Sequence, residues 1–218
     1  MRLLDLFCGA GGAAMGYHRA GFTEIVGVDI KPQPRYPFAF VQGDALEYVR
    51  EHGREFDAIH ASPPCQAYAR GLSNCWNRKD SYPDLLPDTR EELDAGARPW
   101  VIENVPGAPM RSDLILCGTM FGLGWGNRSL HRHRWFEAGN WALPPWAPAS
   151  CNHAQRAVGV FGHSRGNARW GGGSAADQMR SMGIDWMKHE ELTQAIPPAY
   201  TEFIGRQLLQ ALTPSPAS

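Results

Sequence analysis

Leu3-Leu4-Asp5-Leu6-Phe7-Cys8-Gly9-Ala10-Gly11-Gly12 is an apolar run that ends in a cluster of glycines, and its reading decides the fold. A strand of this composition turns sharply where the glycines begin, and a helix over about residues 12–19 carries the chain away. The alternation continues downstream. Residues 24–28, 38–41 and 56–61 read as strands, with a helix over 46–52. A further helix over about 89–95 leads to a fifth strand at 100–103, and 114–117 and 134–137 add two more. Strands and helices alternating at this spacing predict an α/β fold with a doubly wound, mostly parallel sheet. Ligands in such sheets sit beyond the carboxyl ends of the strands, so the residues at those ends are the candidates for function.

A length of 218 residues suits one domain, or one domain with a small appendage. No run approaches the length of a membrane span, and the N-terminus reads as a strand, so a cytoplasmic protein is expected. Five irregularly spaced cysteines argue against a disulfide framework. The net charge of −1 hides an asymmetry: residues 41–100 carry 11 acidic and 7 basic groups, whereas residues 128–190 carry 4 acidic and 8 basic ones with five histidines. A positive face in the last third suits a polyanionic partner.

The fourth strand runs into Ser62-Pro63-Pro64-Cys65-Gln66. Two prolines stop a strand and stiffen the turn beyond it, so Cys65 is expected to be presented rather than buried. Glu103 ends the apolar run Trp100-Val101-Ile102, where burial raises a carboxyl pKa and suits it to proton transfer. Arg132 and Arg134 alternate with His133 and are expected to share one face of a strand. At the other end, the glycines after the first strand can expose helix N-terminal amides. Asp29 closes the second strand where a carboxylate can accept from ribose hydroxyls. Asp44 either reads an adenine amino group or caps the next helix. These positions fit an adenosine-bearing cofactor, NAD or S-adenosylmethionine. A nucleophile on the fourth strand favours the latter.

In this order the motifs resemble those of the cytosine-C5 DNA methyltransferases: 5–12, 27–29, 43–44, 62–66, 103–105 and 132–134, with Gln194-Ala195-Ile196-Pro197-Pro198-Ala199-Tyr200 similar to the family's final motif. The resemblance implies a Rossmann-like, S-adenosylmethionine-dependent fold in a bacterial or phage-infected host cytoplasm, with S-adenosylhomocysteine as product. It implies that Cys65 attacks C6 of a flipped-out cytosine, Glu103 engages N3, Arg134 holds the base and Arg132 supports the thiolate side. Cofactor contacts fall to Phe7, Gly9, Ala10, Gly11, Gly12, Asp29, Ile30, Asp44, Ala45 and Pro64. Ser62 and Gln66 are implied to touch double-stranded DNA. Some family members modify tRNA instead. A Rossmann oxidoreductase or an inactive DNA-binding module are rival classes, and the Cys65, Glu103 and Arg134 set counts against both. Leu130 and Gln194 depart from the family's glutamine and asparagine.

The expected organisation is a catalytic and cofactor-binding unit over 1–137, a small target-recognition region over 138–192 and a C-terminal helix over 193–218 that packs back, the whole acting as a monomer. The middle region reads as loop-dominated, with Arg165, Asn167, Arg169 and Trp170 as candidates to enter a DNA groove. Met179, Met182, Trp186 and Met187 read as packing against the main sheet. Cys151, His153 and His163 lack the short paired spacing of a zinc motif, so no structural metal is expected.

Overall fold

The computed structural model describes residues 1–66, 68, 83–143, 148–161 and 173–213. Its centre is β1 (Arg2–Leu6), in which Leu3, Leu4 and Leu6 are buried on alternate faces. β2 (Glu24–Asp29) and β3 (Ala39–Gln42) lie to one side of it, β4 (Ala58–Ala61) and β5 (Trp100–Asn104) to the other, all parallel. The sheet is completed by β9 (Arg134–Gly139), antiparallel to β5, and by β6 (Leu114–Leu116) on its far edge. The chain therefore leaves β1 in one direction to β2 and later resumes on the opposite side at β4. This reversal opens a crevice between the ends of β1 and β4, the position where such sheets bind ligands.

The two faces are covered differently. Leu3, Ala58, Val101 and Phe136 pack under α1 (Gly12–Ala20) and α6 (Pro198–Leu212), with Tyr17, Tyr200, Ile204 and Leu208 filling the space between. α1 and α6 meet closely because Gly16 lies against Pro198 and Thr201, and the Thr201 hydroxyl donates to the Ala13 carbonyl at 2.8 Å. On the opposite face α2 (Ala45–His52) and α3 (Leu86–Gly96) cover Leu4, Leu6, Ile59, Trp100 and Ile102 with Val49, Leu86 and Leu93. Glu137 of β9 is fully buried and takes both nitrogens of Arg90 at 2.8 Å, which ties β9 to α3. Arg111 adds a second partner, its Nη1 3.2 Å from Glu137, so the buried carboxylate is held by two arginines.

The region expected to be loops contains more regular structure than its sequence suggested. Its β10 (Arg156–Ala157) joins β7 (Gly124–Trp125) and β8 (Arg128–Ser129), which precede that region, in a small second sheet. α4 (Ala175–Met182) starts on a Ser174–Asp177 capping box, and α5 (His189–Gln194) follows. Met182 and Met187 do not pack on the main sheet as expected; they join Ala10, Leu130, Val158 and Val160 in a third cluster beneath the glycine loop. The expected divisions at 137/138 and 192/193 fall inside β9 and α5. Among the described residues no helix is long and apolar enough to cross a membrane.

Candidate active site

The loop after β1 is a backbone site. Phe7, Gly9 and Gly11 have φ of 56°, 48° and 83°, so the chain coils left-handed before α1 begins at Gly12. The three glycines have separate reasons to be glycine. A Cβ on Gly12 would come 2.5 Å from the Ile196 carbonyl and one on Gly11 2.6 Å from Pro37, whereas one on Gly9 would meet nothing. Gly11 and Gly12 thus serve packing, and Gly9 faces open space. α1 has no side-chain cap, which leaves its N-terminal amides for a ligand. Ala10 is buried, and its carbonyl accepts from the Trp186 indole at 2.8 Å.

Asp29 orders this loop: Oδ2 accepts from Gly9 N at 3.0 Å and Oδ1 from Lys31 N at 2.9 Å. Each oxygen keeps a lone pair for a ligand hydroxyl. Beside it, just after β2, Ile30 is 65% exposed and offers an apolar surface. Asp44 is the helix cap that was one of its two readings, accepting from Leu46 N at 2.8 Å and Glu47 N at 3.0 Å, with Ala45 buried behind it.

The loop after β4 is a side-chain site. Ala61 is buried, and Pro63 and Pro64 end the strand as expected. The loop is held from the neighbouring strand, where Asn104 Nδ2 donates to Pro63 O at 3.0 Å while its Oδ1 accepts from Val105 N at 2.9 Å. This support was missed in the sequence, where only the glutamate of Glu103-Asn104-Val105 stood out. Cys65 is half-buried rather than presented. Burial and then the Glu103 charge raise its pKa, against Arg134 and Arg132, which lower it. Glu103 is buried, and desolvation raises its pKa against the same two arginines and Ser62.

Arg134 Nε lies 2.8 Å from Glu103 Oε1. Arg132 behaves differently and does not belong to β9, so the two do not share a strand as expected. The Arg132 guanidinium donates to the Val160 and Thr193 carbonyls at 2.8 and 2.7 Å, and the Tyr200 hydroxyl donates to the Arg132 carbonyl at 2.5 Å. Desolvation and then Arg134 bring Arg132 down to about 9, still charged at neutral pH. A buried relay approaches from behind. Tyr17 Oη lies 3.1 Å from His60 Nδ1, and His60 Nε2 lies 3.0 Å from Ser62 Oγ. A Tyr17 proton donated to Nδ1 leaves the Nε2 proton for Ser62, whose own proton is then free for Glu103. Burial lowers His60 to about 3, so the ring is neutral.

Gln66 follows Cys65, and its buried Oε1 has no hydrogen-bond partner among the described residues. Arg165, Asn167, Arg169 and Trp170 lie outside the described residues, as does His163. Cys151 and His153 do gather, with Cys117 and His133, which sequence spacing gave no reason to connect.

Residues 1–108 match the C-5 cytosine-specific DNA methylase family. Among similar proteins, the type II methyltransferase M.AquIA of Picosynechococcus is 32% identical over 123 residues, covering 49% of this chain and 49% of that enzyme. M.XorII of Xanthomonas oryzae is 33% identical over 120 residues, covering 48% of this chain and 28% of that enzyme. A prophage-encoded Escherichia coli protein, described as a DNA modification methyltransferase, shares the fold across 97% of this chain and 99% of its own, with a TM-score of 0.56 at 14% identity. The fold is that of a Rossmann-like methyltransferase, and the first 108 residues are similar to the cytosine-C5 DNA methyltransferases. It spans half or less of the length of these curated relatives.

Proposed function

We propose that this protein methylates C5 of cytosine in double-stranded DNA, with S-adenosylmethionine as donor and S-adenosylhomocysteine as product. The reading rests on one observation above others: a thiol, a buried carboxyl and two arginines from β4, β5 and the entry to β9 converge beside a glycine loop whose Gly9 faces open space. The donor fits the β1 end. Uncapped α1 amides, Asp29 with lone pairs to spare and the exposed face of Ile30 suit a carboxylate, ribose hydroxyls and a purine respectively. Bound there, it supplies an electrophilic methyl group.

The chain's own residues do the rest. Cys65 adds as a thiolate to C6 of the target base. Glu103 holds the proton exchanged with N3, so that charge pushed into the ring by the sulfur is neutralised there and C5 becomes nucleophilic. Arg134, paired with Glu103, fixes the base edge. Arg132 pins the Val160 and Thr193 backbone, and its charge, with that of Arg134, works against the burial that raises the Cys65 pKa. After methylation the C5 proton is lost to water, the C5–H electrons re-form the C5=C6 double bond and expel the Cys65 thiolate, and the N3 proton returns to Glu103. The base must be extruded, because C6 is unreachable inside a stacked duplex. DNA sequenced from a host expressing the chain should carry 5-methylcytosine at one short motif, and hosts expressing Cys65→Ala should carry none. Methylation by the Cys65→Ala protein would defeat the covalent reading. Modification confined to tRNA would defeat the choice of substrate.

A further inference from the structure

Four side chains that the reaction does not use point at one spot behind the arginine strand. Cys117 follows β6, His133 stands between Arg132 and Arg134, and Cys151 and His153 come from the segment that leads to β10. Their four donor atoms lie within 4.8 Å of one another. Cys117 Sγ is 3.4 Å from His153 Nε2, Cys151 Sγ is 3.4 Å from His133 Nε2, and Cys151 Sγ is 2.8 Å from His153 Nε2. In a tetrahedral zinc site, Zn–S of about 2.3 Å and Zn–N of about 2.0–2.1 Å put neighbouring sulfur and nitrogen ligands roughly 3.5 Å apart. Two of the three pairs already stand at that separation, and the third opens by several tenths of an ångström. Two thiols and two imidazoles offer each other only weak hydrogen bonds, which do not account for bringing all four together from three separate segments.

The surroundings also suit a metal. The Thr119 hydroxyl lies 3.3 Å from Cys117 Sγ and 3.6 Å from Cys151 Sγ, where it can donate to a thiolate. The same oxygen accepts from Asn152 N at 3.2 Å and so sets the loop between Cys151 and His153. His131 stacks on His153 with ring centroids 4.0 Å apart. Two of the ligands stand at the ends of paired strands, since Leu116 of β6 is in register with Arg134 of β9. The other two belong to an exposed segment.

We propose that Cys117, His133, Cys151 and His153 bind one zinc ion. Binding replaces the two S–H bonds by two Zn–S bonds and releases two protons, while both imidazoles coordinate as neutral rings. The four-ligand set has no open position, so the ion is structural. It fastens residues 151–153 to the main sheet and fixes the backbone at His133, between the two arginines of the proposed reaction.

The full chain, purified under reducing conditions and stripped by a chelator, should take up one equivalent of Co²⁺. The product should show the visible bands of a tetrahedral site and a thiolate-to-cobalt charge-transfer band, both bleached by Zn²⁺. Zn²⁺ should raise the melting temperature, and Mg²⁺ should not. Cys151→Ser and His153→Ala replace exposed side chains and should fold, as circular dichroism will check. Cys151→Ser should lose about half of the charge-transfer intensity, one of two thiolates, and both variants should bind metal at least about 10-fold more weakly. Failure of the wild type to bind Co²⁺ or Zn²⁺ would overturn the proposal, as would a Cys117–Cys151 disulfide that, once reduced, takes up no metal. Unchanged cobalt spectra in both variants would also overturn it by locating the ion elsewhere. All of these readouts are independent of methyl transfer, so they stand whatever becomes of the proposed activity.

Discussion

The loops after β1 and β4 leave adjacent parallel strands at the same edge of the sheet, yet they are built on opposite plans. The β1 loop works with its backbone: left-handed residues, uncapped helix amides and a single glycine facing open space. The β4 loop works with a side chain, and almost everything that determines the behaviour of that side chain comes from elsewhere. Asn104 holds its backbone, the Tyr17–His60–Ser62 relay stands behind it, and Arg132 and Arg134 supply its charge. A backbone site is local and can be read from a short run of sequence. A side-chain site is assembled by topology and cannot.

The largest expected effect tests whether the two loops are separable. Cys65→Ala should reduce methyl transfer by at least about a thousandfold, as loss of a nucleophile does, while S-adenosylmethionine binding measured by calorimetry stays within a factor of two or so. A parallel loss of cofactor affinity would merge the two sites into one. Next comes the division of labour among the glycines. Gly12→Ala drives a Cβ against the Ile196 carbonyl and should cost about 1–3 kcal/mol of stability in denaturant melts. Gly9→Ala meets no atoms and should cost about 1–2 kcal/mol from its positive φ alone, yet it should weaken cofactor binding more than Gly12→Ala does. The reverse ranking in binding would show that Gly9 is not the ligand-facing position.

The relay behind Cys65 makes a pH prediction. An unfolded histidine titrates near 6.5, whereas burial holds His60 at about 3. Its neutral form is therefore favoured by folding, and that stabilisation is complete above about pH 6.5 and lost progressively as pH falls towards 3, at about 1.4 kcal/mol per pH unit. Asp5 and Glu103, both raised by burial, act in the opposite sense and blunt the loss. His60→Gln should flatten the stability profile between pH 6 and 4 relative to wild type. An unchanged slope would remove His60 as its source.

Smaller changes should appear in the thiol and its support. Burial and Glu103 raise the Cys65 pKa, so alkylation by iodoacetamide should have its midpoint above that of a free thiol; Glu103→Gln should lower the midpoint and Arg134→Ala should raise it. Identical midpoints in all three proteins would mean that the charges assigned to the site do not reach the sulfur. Asn104→Ala leaves Pro63 O and Val105 N without their partner and should cost about 1–3 kcal/mol, with a fall in kcat rather than a rise in KM. An effect on KM alone would make the loop a binding element instead.

Much of the sheet was legible because its strands are apolar runs closed by glycine or proline, and Cys65 and Glu103 stood out because each ends such a run. Other features were not. The roles of Gly11 and Gly12 depend on Pro37 and Ile196, far away in the chain. The two-residue strands β7, β8 and β10 are too short to carry a period. Arg132 and Arg134 share a motif, but one is engaged by two backbone carbonyls and the other by a carboxylate, which no spacing reveals. α4 was within reach, since Ser174 followed by Asp177 is a capping-box signature. The Cys117, His133, Cys151 and His153 cluster was not, because the β6–β9 pairing sets Cys117 beside His133 while Cys151 and His153 arrive from a separate segment.

The contact between α1 and α6 sets a schedule for the newborn chain. The face of α1 that packs on Pro198 and Thr201, together with Tyr17 and the Ala13 carbonyl, waits for a helix that begins at Pro198. At about 5–20 residues per second of synthesis, that surface stays uncovered for roughly 10–40 s after it leaves the ribosome. β5 meanwhile lacks its outer neighbour until β9 is made. A sheet closed by late, distant segments loses its loop-closure entropy before it gains the contacts, so the interval between the synthesis of α1 and that of α6 is one in which a chaperone can bind the uncovered face.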